Sequence, residues 1–302
     1  MKQSRRTFLQ TTALAAAGIP LLTSEAFGKE LLAKERFKIS LAEWSLHRAL
    51  WGKQMTNLDF PVKAKKEFGI NGVEYVSTFF KDTSTEYLNE LLKISKDNEV
   101  TNVLIMIDGQ GSLGDTDASA RTKAVENHKP WIEAAKFLGC HSIRVNAAGK
   151  GTEQEVADGV VESLSSLCTF AAPMKINVVV ENHGGYSSNG KWLSGVMKRV
   201  NMKNCGTLPD FGNFRVSQTE EYDRYLGMQE LMPFAKGVSA KSHEFDAEGN
   251  ETKSDFYRMI QIVKDAGYKG WVDVEYEGSK LSEPEGIMAT KRLLEKAFTK
   301  VG

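Results

Sequence analysis

Apolar and polar positions along the chain fall into two alternating textures. Short runs rich in β-branched and other apolar residues read as strands. They are Phe37 to Ala42 (FKISLA), Gly72 to Val76 (GVEYV), Val103 to Ile107 (VLIMI), Ser142 to Asn146 (SIRVN), Asn177 to Glu181 (NVVVE), Gly206 to Asp210 (GTLPD), Gly237 to Lys241 (GVSAK) and Trp271 to Tyr276 (WVDVEY). Between them lie longer segments such as STEYLNELLKISKDN, RTKAVENHKPWIEAAKFLGC, EQEVADGVVESLSSLCTFA and SDFYRMIQIVKDAG. Their apolar residues recur three and four positions apart, which places them on one face of a helix. Gly69, Gly139 and Gly267 follow helical segments, where a left-handed residue ends a helix without a Cβ penalty.

Strand starts fall roughly thirty to forty residues apart, the spacing of βα units. Alternation of this kind predicts a parallel sheet, and eight units predict closure. The expected fold class is α/β, a single-domain (β/α)8 TIM barrel occupying residues 29–302. An open doubly wound sheet would want a glycine-rich phosphate loop after the first strand, and none follows FKISLA. The longest loops, DGQGSLGDTDAS and HEFDAEGNETKS, begin where strands three and seven end, on the face where barrels of this type carry their chemistry.

The 302 residues, 41% of them hydrophobic, suffice for one large core. Lys plus Arg equals Asp plus Glu at 39 each, so no net field favours nucleic acid or an anionic membrane surface. Cys140, Cys168 and Cys205 share no metal-type spacing; they are expected as buried free thiols, with a single disulfide as the alternative. The start is a separate object. Ser4-Arg5-Arg6-Thr7-Phe8-Leu9-Gln10 precedes a mildly apolar, Ala-rich run too short to span a bilayer. SRRTFLQ resembles a twin-arginine export signal. Residues 1–28 are therefore expected to be a signal peptide read by the twin-arginine machinery, leaving a periplasmic or otherwise exported protein with no stable membrane anchor.

Four strand ends carry chemistry of one kind: Glu181, Asp210, His243 and Glu275. In a parallel barrel they converge on one mouth. Three carboxylates cannot share such a space as bare anions, because like charges at close range are strongly unfavourable. A divalent cation removes the conflict, and oxygen-rich ligation with one imidazole suits Mn2+, Mg2+, Co2+ or Zn2+.

With those residues in order, the chain resembles the sugar phosphate isomerase/epimerase family of xylose-isomerase-like TIM barrels, which includes ketose 3-epimerases, inosose dehydratases and endonuclease IV. The resemblance implies one metal ion held by Glu181, Asp210, His243 and Glu275. It also implies that Glu181 and Glu275 are the catalytic acid/base pair, working on a small carbohydrate through proton abstraction next to a carbonyl and an enediolate. Alternation proposes that Lys241 shares the inward face with Ser239, that Arg144 and Asn146 point inside, and that Asp273 accompanies Glu275. An inward lysine or arginine could bind substrate oxygens, act as an acid or pair with Asp273. The candidates to contact substrate are His47, Glu74, Asn146, His183, Asn213 and Lys241, with Trp44 and Trp51 as possible ring faces.

The chain departs from the ketose 3-epimerase pattern at Asn213, Ser187 and Gly249, where that pattern often carries His, Glu and Arg. Two other reactions stay open. One is β-elimination from a 3-keto-glycoside, or dehydration of an inosose, with His183 protonating the leaving oxygen; otherwise His183 supports Glu181. The other, an endonuclease IV-like nuclease, needs more ligands than five histidines allow and a cationic face. A sugar-binding barrel without activity is a third alternative.

Overall fold

A computed structural model describes residues 37–301; the expected signal peptide lies outside the described residues. Eight parallel strands run β1 Phe37–Ala42, β2 Gly72–Val76, β3 Thr101–Met106, β4 Ser142–Asn146, β5 Asn177–Glu181, β6 Cys205–Leu208, β7 Val238–Ser242 and β8 Gly270–Tyr276. Eight helices follow them in turn: α1 Phe60–Phe68, α2 Thr85–Asp97, α3 Ala118–Leu138, α4 Glu153–Ala171, α5 Gly190–Val200, α6 Arg224–Leu231, α7 Phe256–Asp265 and α8 Glu283–Val301. A short helix, His47–Trp51, lies in the loop after β1. The expected (β/α)8 barrel is the fold, and α1 and α3 end on Gly69 and Gly139 at φ 62° and 79°.

The strands pair in the order β6-β5-β4-β3-β2-β1-β8-β7. The remaining seam, between β6 and β7, is closed by single bridges, Thr207 with Ala235 and Asp210 with Ser239. Pro209 explains why. It has no N–H to donate, so the regular ladder stops at Leu208, short of the expected Asp210. Pro209 still accepts from the Ser239 N–H at 2.9 Å, and the Phe211 N–H reaches the Ser239 carbonyl at 3.0 Å. The seam therefore presents Asp210 directly beside β7.

Alternation divides the core. Ile143, Val145, Val178, Val180, Val238 and Ala240 face the helices and belong to the main apolar cluster. Their neighbours face the barrel axis, where Ala42, Val76, Leu104, Met106, Val179 and Leu208 form a smaller apolar plug. The rest of the interior is polar: Ser40, Glu74, Arg144, Glu181, Ser239, Lys241, Asp273 and Glu275 are all buried. Polar groups this costly to bury must satisfy one another.

Candidate active site

Glu181, Asp210 and Glu275 meet at the C-terminal mouth. Their carboxylate oxygens lie within 4.8 Å of one another, all three residues are buried, and together they form an acidic cluster that could bind a metal ion. Asp210 is held from three sides. The Asn182 side chain accepts from its N–H at 2.8 Å and donates to the carbonyls of Asp210 and Asn213 at 3.0 Å each. Asp210 Oδ1 accepts the N–H groups of Gly212 and Asn213, each at 2.7 Å. These bonds turn Oδ2 inward, where it has no hydrogen-bond partner.

Two protein cations enter the same space. Lys241, 2% exposed, sets Nζ 3.0 Å from Glu275 Oε1, 3.3 Å from Glu277 Oε2 and 3.9 Å from Asp210 Oδ2. Arg144 sets Nε 2.9 Å from Glu181 Oε2 and Nη1 2.7 Å from Asp108 Oδ1. The Glu181 contact is ionic and lacks hydrogen-bond alignment, because both atoms remain without a hydrogen-bond partner. Asn213 Nδ2 donates to the other Glu181 oxygen at 3.1 Å, and Asn146 Nδ2 donates to Asp108 Oδ1 at 2.8 Å.

Burial and crowding set the protonation of this network. Burial pushes Asp210 well above the usual carboxylate range against the pull of Lys241, with Glu181 and Glu275 adding to the rise. Burial raises Glu275 in the same way, opposed first by Lys241. Asp273 rises through burial and then through Glu74 and Glu275, while burial lifts Glu74 to about 7. Glu277 differs: burial opposes its charge, but Lys241 and the Trp44 indole outweigh burial and lower it. Burial likewise opposes the Lys241 charge and loses to Glu275, Asp210 and Glu277, so the amine is held as ammonium.

The residues expected from sequence separate into two groups. Glu181, Asp210, Glu275, Asn213, Lys241 and, through Asp108 and Arg144, Asn146 belong to one connected network. His243 lies outside the three-carboxylate cluster. It follows the last residue of β7, is 27% exposed, and places Nε2 3.8 Å from Glu277 Oε2. Among the described residues the group that could hold an ion comprises Glu181, Asp210 and Glu275 without His243, and Lys241 Nζ stands 3.0 Å from Glu275 Oε1. Lys241 does not pair with Asp273, which instead accepts from Ser239 Oγ at 3.0 Å. Glu74 is sealed inside the barrel, accepting from Ser40 Oγ at 2.7 Å, and does not line the mouth. His183 is exposed at the rim; Glu181 takes its contacts from Arg144 and Asn213. His47 stacks on Trp44 at 5.1 Å and donates from Nδ1 to the Trp44 carbonyl, 2.7 Å away. Trp51 packs edge-on against Trp44 and stays 57% exposed, so the rings form a rim beside the mouth.

Sequence reasoning missed Asp108, Asn182 and Glu277. Glu277 had a signal, since Asp273, Glu275 and Glu277 alternate along one face. Asn182 had none: it clasps a loop distant in sequence. A cavity of about 540 Å3 opens next to the cluster, lined by Gly184, Asn213, Arg215, Arg224, His243 and Lys253 among others. Another, of about 690 Å3, lies at the opposite end of the barrel near Lys38, His141 and Trp271, away from this chemistry.

No curated protein matches the sequence. Solved structures match in fold. The IolI protein with a bound zinc atom superposes with a TM-score of 0.69 at 15% identity, covering 88% of this chain and 99% of its own. D-psicose 3-epimerase in the presence of D-fructose gives 0.65 at 14%, covering 88% and 100%. The apo form of 3-keto-D-glucoside 4-epimerase, YcjR, from E. coli gives 0.64 at 16%, covering 85% and 99%. The sequence itself matches the xylose isomerase-like TIM barrel description over residues 62–297, most of the chain, and the protein belongs to that family.

Proposed function

We propose that the protein is a sugar isomerase or epimerase that removes and returns a proton at a carbon next to a carbonyl, through an enediolate. One observation carries the reading: Glu181 and Glu275 reach the same small space from separate strands, each against a fixed cation, Arg144 and Lys241. Two carboxylates so placed can take a proton from a carbon and return one to it. Cationic charge beside them stabilises the oxygen on which negative charge develops. The Trp44 and Trp51 rim supports a carbohydrate or cyclitol substrate, whose C–H faces pack on aromatic rings. The reading requires a cation at the mouth and holds whether that cation is one divalent ion or a side chain.

The test is incubation of the purified protein in D2O with free ketoses, inososes and 3-keto-glycosides. Deuterium is expected to enter next to the carbonyl, and Glu181→Gln and Glu275→Gln are each expected to slow exchange by roughly a hundredfold or more. Absence of exchange over the whole panel would sink the proposal. Elimination keeps one supporting observation, the exposed His183 two residues beyond Glu181; a product that has lost its leaving group would select it. We also infer, from Ser4 to Gln10, export by the twin-arginine route.

A further inference from the structure

We propose that Lys241 takes the place of a bound divalent ion in this site, so that an ammonium group supplies the positive charge toward which the substrate oxygen turns. The carbonyl step rests on the isomerase reading above; the replacement of the ion rests on geometry alone.

Each carboxylate that would hold an ion already faces a protein cation. Lys241 Nζ lies 3.0 Å from Glu275 and 3.9 Å from Asp210, and Arg144 Nε lies 2.9 Å from Glu181. Carboxylate oxygens bind small divalent ions at about 2.0–2.2 Å. An ion at that distance from both Asp210 and Glu275 would be pressed against the ammonium, two positive centres in one buried space. The imidazole that would complete the set lies beyond the end of β7, and its backbone N–H is turned toward Glu251 Oε1 at 3.3 Å.

The lysine also has a built seat. Gly212 follows the Asp210 turn, and a Cβ there would stand 3.2 Å from Lys241 Cγ and 3.3 Å from Cδ. The bare backbone at Gly212 leaves the stem its path to the cluster. Glu277 Oε2, at 3.3 Å from Nζ, fixes the far side, and Glu277 is itself held by the Trp44 indole N–H.

In the reaction, a glutamate takes the proton from carbon and the C–H electron pair forms the new C=C bond. The carbonyl π pair moves to oxygen, which accepts a hydrogen bond from the Lys241 ammonium. Return of a proton to carbon restores the carbonyl, with Lys241 an ammonium before and after. No oxidant, reductant or ion is consumed.

The experiment uses the full chain, purified without chelator. Metal content is read by mass spectrometry, Mn2+ binding by calorimetry with MnCl2, and exchange in D2O with and without EDTA. The wild type is expected to carry far less than one equivalent of transition metal, to show no saturable Mn2+ binding below the millimolar range, and to exchange equally with EDTA. Lys241→His, checked for fold by circular dichroism, is expected to bind Mn2+ at least about tenfold more tightly, since it replaces an ammonium by a metal ligand. One equivalent of metal in the wild type, or saturable Mn2+ binding that Asp210→Asn abolishes, would overturn the proposal. So would a folded Lys241→His variant with no gain, because the lysine would then not be what excludes the ion. If no substrate on the panel exchanges, the isomerase reading falls while the metal measurements still decide this one.

Discussion

Glu43 shows how much a single buried carboxyl can cost outside the active centre. It is fully buried just after β1, accepting from Asn57 Nδ2 and the Val76 N–H at 2.9 Å each. Burial outweighs both bonds and raises it from 4.5 to about 8. Between those values the folded chain holds a proton that the unfolded chain has released. Its contribution to stability is therefore full below about 4.5 and is lost as pH rises through about 8. Glu43→Gln removes this proton linkage. Between about pH 5 and pH 9 the Tm of the wild type is expected to fall by several degrees more than that of the variant. Parallel curves from scanning calorimetry would show that Glu43 ionises without penalty. The site residues follow the same physics with a cation beside them: burial raises Asp210 and Glu275 even against the opposing pull of Lys241. Glu181 and Glu275 were legible because one ends and the other lies in a strand of strong pattern, and Asp210 because it follows the short β6 run by two residues. Asn182 was not, since its partners belong to the loop after β6.

At the scale of elements, most boundaries were visible because they depend on neighbours along the chain. Helix α4 spans the expected Glu153–Ala171 and opens with a capping box. Thr152 Oγ1 accepts from the Glu155 N–H at 3.3 Å, and Glu155 Oε2 accepts from the Thr152 N–H at 2.8 Å. Thr152→Ala is expected to cost about 1 kcal/mol, a Tm lower by roughly 2–4 °C for a domain of this size; no change by calorimetry would mean that solvent caps the helix equally well. Helix α3 begins at Ala118, ahead of the expected Arg121, because Asp117 Oδ1 accepts the N–H groups of Ser119 and Ala120 at 2.7 and 3.4 Å. Strand β3 runs Thr101–Met106 where Val103 to Ile107 was expected, its start drawn toward β2 by the Thr101 N–H bond to the Asn71 carbonyl at 2.7 Å. Here a pairing between strands shifted a boundary that local pattern placed two residues later.

For the whole molecule, closure decides the site. The last unit is tied to the first through Glu283, whose carboxylate accepts the N–H groups of Arg48 and Ala49 at 2.7 and 3.2 Å. The cysteines take no part in covalent closure: Cys140 and Cys168 are buried and Cys205 half-buried, all as free thiols. No helix among the described residues is long and apolar enough to cross a membrane. The export proposal therefore concerns the N-terminal segment. A double Arg5→Lys, Arg6→Lys variant is expected to accumulate in the cytoplasm where the wild-type chain is found in the periplasmic fraction; equal fractionation would refute the twin-arginine reading.

Strands, helices, their order and three converging carboxylates could be read from the chain by itself, because apolar period, turn chemistry and caps act between near neighbours. What fills the space among those carboxylates could not. Alternation along β7 turns Ser239 and Lys241 inward, but His243 follows the last strand residue and its backbone N–H is tied to Glu251 Oε1 at 3.3 Å, a partner eight residues on that alternation does not name. Pro209 opens the seam that brings Asp210 against β7, and Gly212 leaves the room a lysine stem needs. Tertiary structure decided that the Lys241 ammonium sits 3.0 Å from Glu275 while the His243 imidazole sits 3.8 Å from Glu277, because those distances depend on where two loops pass each other, which no pattern along one strand encodes.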